Sequence, residues 1–131
     1  MTHVDRRRGR DPEVAVHALP LLAQVMGDAE PDVQKALSWA YRSLTVVDMP
    51  GTVTALRHET DLAARTDDGH RAWVIRDTLA KLDRTVADDL RQRLAGIRRH
   101  AGAPSTSEAA LAAIRFGGLP DPAIHPEPPL A

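Results

Sequence analysis

Between Pro31 and Pro50 the apolar residues Val33, Ala36, Leu37, Ala40, Leu44 and Val47 recur at intervals of three and four. That spacing places them on one side of an α-helix, and a strand would scatter them over both faces. Such a helix is stable only when the stripe is covered, so the chain must supply further helices to pack against it. It does so on both sides. Asp11-Pro12-Glu13 has the composition of a helix start: an acceptor for free amides, a proline that fits the first turn, and a carboxylate that complements the dipole. From there Val14, Ala18, Leu21, Leu22 and Val25 predict a helix to about Met26, with Pro20 on its polar side as a point of kinking and Gly27 as its end. Asp28 to Asp32 restarts the chain after a connection short enough to make the first two helices antiparallel.

Asp48-Met49-Pro50-Gly51 breaks the second helix and begins a third, weaker one through Val53 and Leu56 to about Ala64. A fourth is predicted from about His70 to Leu82 on Ala72, Ile75, Leu79 and Leu82. A fifth follows from Thr85 to His100 on Val86, Leu90, Leu94 and Ile97. Ser105 or Ser107 is placed to cap a short sixth over Ala109 to Phe116. Residues 1–10 lack apolar periodicity and are expected to form a flexible basic arm. Residues 117–131, with five prolines, are expected to be a disordered tail. Aromatic residues make up only 3% of the chain, so the core of residues 11–116 must come from Ala, Leu and Val between closely approaching helices. The fold class is all-α, with five to six helices in antiparallel pairs. Start signals near Asp11 and Thr52 lie about 40 residues apart, the length of a helix-pair repeat in an α-solenoid, and a small bundle is the other arrangement that fits.

There are no cysteines, which excludes disulfides and thiolate chemistry and fits a reducing, cytoplasmic setting. No apolar run reaches the roughly 20 residues needed to cross a membrane. The six histidines form no i, i+4 pair, and no phosphate loop, nucleophile elbow or paired carboxylate set is present, so no catalytic residue, metal or cofactor is expected. The formal net charge is -1, and any contact with nucleic acid must therefore be local.

One local pattern stands out. Trp39 lies about 120° from the centre of the second helix's apolar stripe, with Lys35 four residues before it and Arg42 three after. An indole between two cations can stack on a base or sugar while holding phosphates. The structural alternative is that Trp39 fills a seam between packed helices. Trp73 and Arg76 form a second such pair, with Asp77 available to neutralise Arg76 or Lys81. Arg91, Arg98 and Arg99 mark a basic side of the fifth helix that is either solvated surface or a backbone contact.

The run Gln34-Lys35-Ala36-Leu37-Ser38-Trp39-Ala40-Tyr41-Arg42 resembles the bacterial DNA alkylation repair glycosylases, the AlkD-like HEAT-repeat family. Asp48-x-Pro50, His70 to Asp77 and Leu94 to Arg99 also resemble that family's C-terminal half, and the likeness covers about residues 11–115. The resemblance implies a right-handed HEAT-like solenoid and excision of cationic N3- and N7-alkylpurines without a metal. It further implies duplex DNA on the concave face, with Trp39 facing the lesion-bearing backbone and Lys35, Arg42 and Arg76 near phosphates. The family's catalytic Asp and companion Trp belong to helices upstream of the matching segment. The chain is thus expected to be an N-terminally truncated form, inactive alone but keeping part of the DNA-binding face. The alternative is a non-catalytic protein-interaction module that self-associates through an exposed apolar N-terminal end.

Overall fold

The computed structural model describes residues 12–117, and among these every regular element is a helix. The arm expected over residues 1–10, the Asp11 start signal and the tail beyond Gly117 lie outside the described residues.

Helix α1 (Pro12–Val25) runs through Pro20 and ends before Gly27, whose φ of 98° only glycine adopts readily. Its buried side is Ala15 with Met26 just past its end, backed by Leu19, Leu22 and Val25. Val14 and Leu21, expected inside, are exposed. The helix is apolar nearly all round, so periodicity left its rotation open by about one residue, and packing decides it. Helix α2 (Pro31–Val47) starts with proline in its first turn and buries Leu37, Tyr41 and Leu44. Ala36 is exposed, while Val33, Ala40 and Val47 are half-buried. The covered face extends instead round to Gln34, Ser38 and Thr45. Gln34 and Ser38 tolerate burial because each has a hydrogen-bond partner on another segment.

Asp48 alone separates α2 from α3 (Met49–Thr66), and its Oδ1 accepts from the Gly51 amide at 3.0 Å. At 18 residues α3 is the longest helix, not the weak one expected from its sparse apolar residues. It buries Leu56 and Ala63 together with Thr52, Glu59 and Thr60. Asp67, in the left-handed region, closes it by donating its amide to the Ala63 carbonyl. Helix α4 (Gly69–Thr78) is capped by Asp68, which accepts from the Arg71 amide at 3.1 Å, and it continues as a 3₁₀ turn over Leu79–Lys81. Helix α5 spans only Arg84–Arg93, where the periodicity predicted a helix to His100. Gly96 at φ 85° turns the chain, and Leu94 and Ile97 stay buried as anchors of that turn. Ser107 caps α6 (Glu108–Gly117) by accepting from the Ala110 amide at 3.1 Å, and the Ser105 hydroxyl accepts from the Ala29 amide instead.

Each of the first three helices packs on its successor, α4 meets α5 through the 3₁₀ turn that touches both, and α1 on α3, α2 on α4 and α3 on α5 make the next-but-one contacts. Helix α6 returns to lie on α1. The connection is pinned by the Thr106 amide on the Gly27 carbonyl at 2.9 Å and the Thr106 hydroxyl on Asp68. Burial of each large aliphatic side chain in this core, such as Leu56, Ile75, Leu90 and Leu94, contributes about 1.5–3 kcal/mol.

One polar cluster crosses the core. Arg71, 4% exposed, donates Nη2 to the Met26 carbonyl at 2.7 Å, satisfying an end of α1. Its Nε lies 3.2 Å from Glu59 Oε1 and 3.7 Å from Asp68 Oδ2. Burial raises the Glu59 pKa, and the Arg71 cation pulls it down without overcoming that penalty. Burial, with Glu59 beside it, likewise raises the Tyr41 pKa.

Candidate nucleic-acid interface

The side of α2 turned away from the core carries Lys35, Trp39, Arg42 and Val46. Their i, i+4, i+7, i+11 spacing keeps four side chains in one stripe. Trp39 is 66% exposed, so it does not fill a seam between helices. It leaves in water much of the roughly 150–250 Å² that an aromatic ring can bury. Lys35 is exposed and Arg42 half-buried, and neither makes an ion pair among the described residues. The stripe therefore holds an open indole and two cations that no described carboxylate pairs with.

Helix α4 borders this stripe. The Ser38 hydroxyl donates to Asp77 Oδ2 at 2.5 Å, so the Asp77 carboxylate is held at the seam between α2 and α4 and pairs with neither Arg76 nor Lys81. One turn back along α4, Trp73 is half-buried with the Arg99 guanidinium 4.9 Å from its ring centroid. Arg99 also donates to Gln34 Oε1. The Gln34 amide nitrogen donates to the Asp28 carbonyl at 2.7 Å and sits 3.1 Å from His70 Nδ1. His70 Nε2 lies 2.8 Å from the Ala103 carbonyl, which can only accept, so Nε2 carries the hydrogen and Nδ1 accepts from Gln34.

Arg76 is placed differently from the other three predicted contacts. Its Nη2 donates to the carbonyls of Leu94 and Ile97, both at 2.6 Å, tying α4 to the turn after α5. Burial lowers its pKa, and the neighbouring Arg98 cation lowers it further. The basic side expected along the fifth helix is not continuous. Arg91 pairs with Asp88 at 2.8 Å, Arg93 pairs with Asp61 at 2.7 Å, and Arg57 from α3 pairs with Asp89 at 2.8 Å. Arg98 and Arg99 lie beyond the end of α5, and Arg98 has no ion-pair or hydrogen-bond partner for its side chain among the described residues. Gly96, inside the stretch that periodicity predicts as helical, is the sequence signal for that turn.

No group of three or more His, Cys, Asp or Glu residues among those described could hold a metal ion. A cleft of about 530 Å³ is bounded by Ala29, Pro31, His70 and Arg99 to Ala103, and Trp39 does not line it. The Trp39 indole is an open surface apart from that cleft. Comparison with family models, with curated proteins and with solved structures finds no match to this chain.

Proposed function

We propose that this chain is a HEAT-like stack of helix pairs that holds duplex DNA against the outward stripe of α2, in the manner of the alkylpurine repair family that its sequence resembles. The observation that carries this reading is the exposed Trp39 between Lys35 and Arg42, two cations that lack carboxylate partners among the described residues. Seven residues of helix rise about 10.5 Å, so Lys35 and Arg42 span a distance comparable to about three base steps along one strand. The ring between them has an electron-rich face that suits a cationic alkylated base or a sugar. The next-but-one helix contacts support the stacked arrangement, because in a solenoid each helix pair rests on its neighbours. No residue of this chain is proposed as catalytic.

A protein-interaction reading has its own support. Val16 and Leu21 of α1 and Ile114 and Phe116 of α6 are all more than 60% exposed on the two helices that close on each other. Salt separates the two readings. Affinity resting on phosphate contacts falls steeply with ionic strength, whereas apolar association does not. Fluorescence anisotropy on duplex DNA, with Trp39→Ala and Lys35→Ala/Arg42→Ala compared across a salt series, tests the first. Sedimentation at high salt tests the second.

A further inference from the structure

The turn after α5 is fastened from three directions. Arg76 draws the Leu94 and Ile97 carbonyls toward α4 through two hydrogen bonds from a single nitrogen. Gly69, at the first position of α4, lies so close to the Arg98 carbonyl and the Arg99 Cα that a Cβ there would collide with backbone. The Arg99 side chain lies over Trp73 and bonds Gln34. These fastenings hold the backbone on both sides of Arg98 and leave its own side chain exposed and without an anionic partner among the described residues. The Arg76 guanidinium lies near enough for repulsion between the two cations to lower its pKa, after the larger effect of burial. An anion beside Arg98 would relieve that repulsion, and DNA supplies one phosphate for every base step.

Resting on the DNA-binding reading above, we infer that Arg98 is a phosphate contact and that Arg76 is its positioning residue, acting through the Leu94–Ile97 turn without meeting the phosphate. Arg76 has its Nη2 donor capacity committed to carbonyls, which a phosphate oxygen would have to displace. Arg98 makes no side-chain hydrogen bond or ion pair among the described residues.

The test is the salt dependence of duplex DNA binding by the full chain and its Arg98→Ala, Arg76→Ala and doubly substituted variants, combined with amide hydrogen exchange over residues 94–99. Arg98→Ala is expected to reduce the slope of log affinity against log salt by about 0.9, the value for one phosphate contact, and to leave exchange in the turn as in the parent. Arg76→Ala is expected to reduce the slope by the same amount and to accelerate exchange in the turn, and the double variant to lose no more than Arg76→Ala alone. Losses that add, or an Arg76→Ala variant with unaltered exchange, would place Arg76 on the phosphate itself and overturn the assignment. A parent chain that binds in a Trp39-dependent way and is indifferent to Arg98→Ala overturns this inference alone. A parent chain that binds no duplex at low salt overturns the DNA-binding reading and this inference with it.

Discussion

Trp39 leaves most of its indole in water while Tyr41, two positions away, is wholly enclosed. Opposite faces of α2 thus assign one aromatic ring to the core and one to the surface. Asp77 places a negative charge beside that surface stripe at the α2–α4 seam, where the Ser38 hydroxyl holds it. Asp77→Asn keeps an acceptor for Ser38 and removes a charge that repels phosphate, so it should tighten duplex binding severalfold at low salt, with the gain fading as salt rises. Titration of both proteins by anisotropy checks this. In the core, Glu59 has a pKa raised by burial, so its sign is the reverse of an ordinary paired carboxylate. A raised folded-state value means that its contribution to stability is complete below the usual carboxylate range and is lost as pH rises through the raised value. Urea midpoints measured from mild acid to neutrality should therefore move in favour of Glu59→Gln relative to the parent as pH increases. A shift in the opposite direction would mean that pairing with Arg71 outweighs desolvation.

At the scale of elements, turn chemistry was the most legible part of the sequence. Asp48, Asp68 and Ser107 all accept from amides of the helices they precede, as short polar side chains before a helix should. Helix rotation was less legible. In α1 the apolar residues surround the axis, and in α2 buried Gln34 and Ser38 widen the core face through bonds to Asp28, His70 and Asp77 that lie far off in sequence or outside the helix. Periodicity carries α5 past its end because Leu94 and Ile97 keep the helical spacing on either side of Gly96, where the backbone turns, and the same residues serve a turn as well as a helix. Gly69 supplies the sharpest test at this scale. Its replacement by Ala drives a methyl into the Arg98–Arg99 backbone and should destabilise the fold by about 1–3 kcal/mol, read as a lowered urea midpoint.

Across the whole molecule, the feature that local pattern could not reveal is the return of α6 to α1. It depends on pairings such as Thr106 with Gly27 and Asp68 and Ser105 with Ala29, separated by tens of residues and made by small polar side chains common in any loop. The outward stripe of Lys35, Trp39 and Arg42 was legible as a spacing. The commitment of Arg76 to two carbonyls was not, because it requires the fold to bring residue 94 beside residue 76. The outward stripe of α2 as a DNA-holding surface is tested most directly by anisotropy of the full chain on duplex DNA from low to physiological salt, alongside Trp39→Ala and Lys35→Ala/Arg42→Ala. Binding that weakens steeply with salt, loses about two phosphate contacts of slope in the double variant and drops by about 1–3 kcal/mol without the indole is the expected result. Affinity that ignores salt and survives both substitutions would contradict it.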